Sequence, residues 1–142
     1  MTVGLVIVSH SAQLAEGVVE LAGQMAQGDV AIAAAGGTSE GVLGTSVEKI
    51  LAALHEVDGP DGILVLLDLG SAVMATEMAV ETFMAGREDL EGQQEHVIIS
   101  SAPLVEGAVI AAVESSIGNS LQEVAEAASG ACTLPKVHSQ NR

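Results

Sequence analysis

The chain has 142 residues, the size of one ordinary domain, and carries four basic against nineteen acidic residues, a formal charge of -15. That charge repels a phosphate backbone and an anionic membrane surface, and with one Phe and no Trp or Tyr there is no aromatic platform for stacked bases. Nucleic acid and membrane are excluded as partners, and a protein presenting a basic face is favoured.

The N-terminus reads Met-Thr-Val-Gly-Leu-Val-Ile-Val, with no basic residue ahead of an apolar run too short for a signal peptide or a membrane span. Val3–Ser9 is apolar at nearly every position, the pattern of a strand covered on both faces. Leu14–Gln27 has apolar residues at helical spacing, with Ser11 placed as the cap. A second strand is expected over Asp29–Ala34, followed by Gly36-Gly37-Thr38. Thr45-Ser46-Val47-Glu48 fits a capping box and opens a helix over Val47–Val57. Gly62–Leu67 reads as the third strand, and Ser71 as the cap of a helix over Ala72–Ala85. His96–Ser101 reads as the fourth strand. A fourth helix begins near Pro103, a residue tolerated in a first turn, and Leu121–Ala128 forms a short fifth.

Strand–helix alternation of this kind predicts right-handed crossovers and an open, mostly parallel four-stranded α/β sheet with helices on both faces. One domain is expected over residues 1–128, with 129–142 as a loose tail. Cys132 is the single cysteine, so no internal disulfide can form; this suits a reducing, cytoplasmic setting, and the residue reads as a small buried hydrophobe. His55, on a solvated helix face, His96, at a strand start, and His138 share no metal-ligand spacing, so no metal site is expected. Glu16, Glu20, Glu77 and Glu81 follow helical spacing as solvated faces. The stretch Gly36–Gly44 has no Lys before Thr45 and is not a Walker A loop.

In an open parallel sheet, ligands bind beyond the carboxyl ends of the strands, where the strand order reverses. Ser9-His10-Ser11, Gly36-Gly37-Thr38, Asp68-Leu69-Gly70-Ser71 and Ser101-Ala102-Pro103 all follow strands and so share that edge. The set suits a phosphohistidine. A neutral imidazole attacks phosphorus if its other nitrogen is held by an acceptor, a role for Asp68 beside His10. Amides at the helix starts, with Ser11, Ser71 and Thr38, would stabilise the phosphoryl group, and Gly36 and Gly37 would let backbone approach without a Cβ. Taken singly, His10 reads as a cap or core residue, Asp68 as a cap of the third helix and Gly36-Gly37 as a turn. Their coincidence at one edge favours the chemical reading.

The segments Val6-Ile7-Val8-Ser9-His10-Ser11, Leu14-Ala15-Glu16-Gly17 and Gln24-Met25 resemble the mannose-type enzyme IIA family of the bacterial phosphoenolpyruvate-dependent phosphotransferase system. Ala34-Ala35-Gly36-Gly37-Thr38 with Gly44-Thr45-Ser46, Asp68-Leu69-Gly70-Ser71-Ala72 and Ala102–Ala108 are similar to the branch serving dihydroxyacetone kinase. The resemblance runs from about residue 3 to residue 128. It implies strand order 2-1-3-4, a homodimer, phosphorylation of His10 and a hydrogen bond from His10 to Asp68. The implied donor is the phosphohistidine form of HPr. The implied acceptor is ADP held as a coenzyme on the kinase's nucleotide-binding subunit, so this chain itself binds no cofactor, and with no fused carrier domain it depends on a separate HPr. The alternatives are an enzyme IIA of a mannose- or fructose-type sugar permease, which would pass phosphate to an enzyme IIB domain, and a non-catalytic module that binds a small anion at the same edge.

Overall fold

Strand β1, Gly4–Ser9, is buried at all six positions. It lies between β2 (Ile32–Gly36) and β3 (Ile63–Leu67), and β4 (Val97–Ser100) closes the far side of β3. The computed structural model that defines these elements describes residues 2–87 and 95–137. All strand pairs are parallel and the order is β2-β1-β3-β4, as anticipated.

Among the described residues five α-helices connect and cover the strands: α1 (Ala12–Met25), α2 (Val47–Val57), α3 (Val73–Met84), α4 (Leu104–Ser116) and α5 (Leu121–Ser129). Successive side chains of a strand point to opposite faces, so β1 feeds two cores. Val3, Leu5 and Ile7 pack with α1, α4 and α5 on one face. Val6 and Val8 pack with α2 and α3 on the other. Full coverage on both sides explains why the central strands read as continuous apolar runs. From β1 the chain crosses by α1 to β2 on one side, then by α2 to β3 on the other. The order therefore reverses at the carboxyl ends of β1 and β3, which end in Ser9-His10 and Leu67-Asp68.

The structure differs from the sequence reading at several boundaries. The second strand runs over Ile32–Gly36 rather than Asp29–Ala34. Gly28, at φ 81°, and a hydrogen bond from Asp29 N–H to Ala26 O hold the chain in a turn first. Pairing then begins where Leu5 faces Ile32. The cap of α2 is Ser46, which accepts from Lys49 N–H at 3.2 Å, so the proposed box of Thr45 with Glu48 is one residue out of phase. A reciprocal box does form at Ser120 and Glu123, opening α5. Ser71 does not cap α3. It lies inside a short 3₁₀ turn, Gly70–Ala72, and Ala72 precedes the helix without a side-chain cap.

The tail is more ordered at its start than expected. Ser129 still belongs to α5, and a 3₁₀ turn over Gly130–Thr133 buries Ala131. That turn faces Cys132 outward, so the cysteine is exposed instead of buried. His138 and the residues after it lie outside the described residues.

Candidate functional site

His10 sits one residue past β1 and Asp68 one residue past β3, on adjacent strands whose register places Val8 opposite Leu67. The register sets Asp68 level with Ser9, one residue short of His10, and the His10 and Asp68 side chains meet across that offset. His10 Nδ1 lies 3.0 Å from Asp68 Oδ1 and 3.3 Å from Oδ2. The His10 backbone N–H donates to Oδ2 at 2.9 Å, the Ser9 hydroxyl donates to the same oxygen at 3.0 Å, and Leu69 N–H donates to Oδ1 at 2.7 Å. Asp68 therefore does not cap α3; its acceptors are used on the turn and on the residues around His10.

Burial pushes the Asp68 carboxyl up, but the His10 backbone N–H, the His10 ring and the Ser9 hydroxyl together outweigh it and hold the carboxyl below its ordinary value. An ionised carboxylate only accepts, so the ring must donate from Nδ1 and carry its lone pair on Nε2. Nε2 points to the surface, where the Ser71 hydroxyl, 2.9 Å away, can donate to it. The His10 side chain is 27% exposed against 10% for Asp68, so the nucleophilic edge is open while its orienting group is covered.

Around this pair the helix starts supply donors. Ser11 caps α1 by accepting from Leu14 N–H at 3.1 Å, and its own N–H donates to Ser9 Oγ at 3.0 Å. The amides of Ala12 and Gln13 belong to a first turn that no helical carbonyl serves, and they suit an anion. A cleft of about 330 Å³ opens on the other side of Asp68, toward Ser101 and Pro103 at the start of α4.

The glycine segment is placed differently from the simplest expectation. Gly36 belongs to β2 and faces the first turn of α1, where an added Cβ would lie 2.5 Å from Ser11 O and 2.7 Å from Ala12 Cα. Its lack of a side chain lets α1 start close to the sheet, so its part in the site is to admit the helix. Gly37, at φ 71°, donates its N–H to Ser9 O at 3.0 Å, and Thr38 N–H donates to Val42 O at 2.9 Å. The first amide is thus engaged by β1 and the second within the loop. The Thr38 hydroxyl accepts from Val42 N–H at 3.3 Å and keeps its own proton free to donate.

Two contributors escaped the sequence reading. Ser9, fully buried, ties Asp68 to the start of α1 through its single hydroxyl. Lys49 reaches back from α2 and donates to the carbonyl of Gly36 at 2.7 Å and of Thr38 at 3.4 Å. Its signal in the sequence was its isolation, since no other basic residue precedes Arg87. The remaining histidines stay apart from the site. His96 Nε2 is 2.9 Å from Asp58 Oδ1, just ahead of β4 at the opposite end of the sheet, and His55 stands edge-on to Phe83. No cluster of three His, Cys, Asp or Glu suited to a metal occurs among the described residues. Among the same residues no helix is long and apolar enough to cross a membrane.

Comparison with known proteins places this geometry in a family. Residues 4–125 match the EIIA-man family, described as the PTS system fructose IIA component. A relative from Klebsiella michiganensis, the PEP-dependent dihydroxyacetone kinase phosphoryl donor subunit DhaM, is 38% identical over 141 residues, 95% of this chain but 28% of its own length. The chain thus spans little more than a quarter of that relative. A second relative, from Listeria innocua, is the PEP-dependent dihydroxyacetone kinase 2 phosphoryl donor subunit DhaM; it is 35% identical over 122 residues, covering 86% of this chain and 93% of its own length. A solved structure described as unknown function protein EF1359 superposes with a TM-score of 0.76 at 32% identity, covering 92% of this chain and 95% of that one.

Proposed function

Since the chain belongs to the EIIA-man family of phosphotransferase-system fructose IIA components, we propose that it is a phosphohistidine carrier that accepts a phosphoryl group on His10 Nε2 from the phosphohistidine form of HPr. It passes that group to ADP held on the nucleotide-binding subunit of a dihydroxyacetone kinase. The observation that carries the reading is the bond between His10 Nδ1 and the Asp68 carboxylate, which leaves Nε2 as the nucleophile, contacted among the described residues only by the Ser71 hydroxyl. The acceptor rests on the relatives matched over 93% and 80% of their own length, both named phosphoryl donor subunits of dihydroxyacetone kinases. The protein acts in the cytoplasm as a homodimer.

The transfer needs no proton shuttle. The Nε2 lone pair forms a bond to phosphorus as the phosphorus–nitrogen bond of the donor breaks, and the departing imidazole keeps that electron pair. The Nδ1 proton stays on the ring, where Asp68 balances the positive charge that the ring gains. Ser71 must turn its hydroxyl from Nε2 as phosphorus arrives. From the same position it then donates to a phosphoryl oxygen, with the open amides of α1 as further donors. On transfer to ADP the steps run in reverse, with the terminal phosphate oxygen as nucleophile.

The test is the intact mass after incubation with phosphoenolpyruvate, enzyme I and HPr. One added phosphoryl group, labile in acid and stable in base, is expected, and none in His10→Ala. Chasing the phosphorylated protein with ADP-loaded kinase subunit should remove it. An unmodified mass defeats the carrier reading in favour of a module that only binds anions. Phosphate that passes to an enzyme IIB domain and not to the kinase points to a sugar permease.

A further inference from the structure

The chemistry above makes no use of the Lys49 ammonium, although it is one of only four basic side chains. It lies behind the loop of residues 37–46, which joins β2 to α2. Gly37, Gly41 and Gly44 in that loop all take positive φ, and so glycine-rich a span is costly to order without ties. The ties are specific. Gly37 N–H donates to Ser9 O at 3.0 Å, and Gly44 N–H donates to the carbonyl of His10 itself at 2.9 Å. Lys49 holds the loop from below through the carbonyls of Gly36 and Thr38. Among the described residues it makes no ion pair with a carboxylate.

The loop carries Val42 and Leu43, 58% and 77% exposed. Leu43 is the most exposed large apolar side chain among the described residues, and it adjoins the residue bonded to the His10 backbone. The bond from Gly44 N–H to the His10 carbonyl sets the loop beside the residue that a phosphohistidine-bearing protein must approach. On a chain of charge -15, an apolar lip next to the nucleophile suits a donor with an apolar centre and a basic surround.

We propose that Lys49 is a positioning residue that holds the loop of residues 37–46 as a rigid apolar lip beside His10, against which the phosphoryl-donating protein docks. The proposal rests on the carrier reading and deepens it. The His10 ring is fixed by Asp68 and Ser71, neither of which belongs to the loop. Releasing the lip therefore leaves the nucleophile assembled and adds an ordering cost to docking. The effect falls on KM and spares the maximal rate.

The experiment measures initial rates of phosphoryl uptake against the concentration of phosphorylated HPr. Lys49→Met should raise KM about tenfold, with a maximal rate within about twofold of wild type. Lys49→Arg, which can still donate to two carbonyls, should restore the wild-type KM. Leu43→Ser, at an exposed position that folding does not depend on, should raise KM as well. An unchanged KM in folded Lys49→Met overturns the proposal, as does a fall in maximal rate at constant KM. If Lys49→Met does not fold by circular dichroism, an unchanged KM in Leu43→Ser overturns it alone. A wild-type chain that takes up no phosphate defeats the carrier reading, whereas normal wild-type uptake with a silent Lys49→Met defeats only the clamp.

Discussion

Asp68 holds His10 at two points, the backbone N–H at 2.9 Å and the ring Nδ1 at 3.0 Å. One carboxylate thereby fixes both where the histidine enters the loop and which ring nitrogen carries the lone pair. Replacing Asp68 by Asn keeps the shape but removes the charge, and its amide nitrogen would face N–H donors. Phosphoryl uptake by Asp68→Asn should fall roughly ten- to a thousand-fold, as for other acid–histidine pairs. Stopped-flow transfer from phosphorylated HPr measures it, and wild-type kinetics would reduce Asp68 to a structural acceptor.

The same carboxylate gives a pH signature in stability. Its folded-state value lies below the ordinary 3.8, so its contribution is fully present above the unfolded value and is lost as pH falls through the folded one. The stability gap between wild type and Asp68→Asn should be constant above about pH 5 and should shrink below about pH 4. Thermal melts of both proteins across that range decide it. A gap that persists undiminished to pH 2 would show that charge on Asp68 is not what stabilises the fold.

Ser9 is buried with its hydroxyl shared between Asp68 Oδ2 and Ser11 N–H. Ser9→Ala leaves the part-buried Ser11 amide without that acceptor and costs about 1 kcal/mol, the low end of the penalty for an unmet buried polar group. Because Asp68 keeps its bonds to His10, uptake should slow about tenfold or less, a milder effect than in Asp68→Asn. Denaturant unfolding and transfer rates measured on one preparation separate the two effects.

Gly36, the last residue of β2, is closely surrounded, with Ser11 O, Ala12 Cα and Ala15 Cβ all within 2.8 Å of an added Cβ. Gly36→Ala must push α1 away from the sheet, an overpacking cost of about 1–3 kcal/mol. The shift displaces Ser11 and His10 together, so activity should fall along with the melting temperature. A fully active, fully stable Gly36→Ala would mean that the start of α1 is freer than its packing implies.

Charge should set the encounter. Attraction to a basic donor is screened over about 8–10 Å at physiological salt. Raising salt at limiting donor should slow transfer, while the rate at saturation changes little. A flat salt profile would assign docking to apolar contact alone and leave the acidic surface to solubility.

What the sequence by itself determined was the sheet and its reactive edge. Val3–Ser9 and Gly62–Leu67 read as doubly covered strands because burial on both faces leaves nearly every position in the run apolar, a local property visible in one dimension. Once those strands are parallel and adjacent, the residues after them must share an edge, which is why His10 and Asp68 could be paired at a separation of 58 residues. The tertiary structure alone decided whatever depends on register and rotation. Ser71 stands where a cap would stand, yet a 3₁₀ turn swings its hydroxyl to His10 Nε2. Thr45 and Ser46 are both plausible caps, and the helical phase selects Ser46. Ser9 fills the polar junction between β1, Asp68 and α1, while Cys132, read as a buried hydrophobe, turns outward. Lys49 acts on carbonyls 11 and 13 residues away, and hydrogen bonds to backbone carbonyls leave no trace in side-chain pattern. Such contacts exist only once the loop has folded over the helix that carries the lysine.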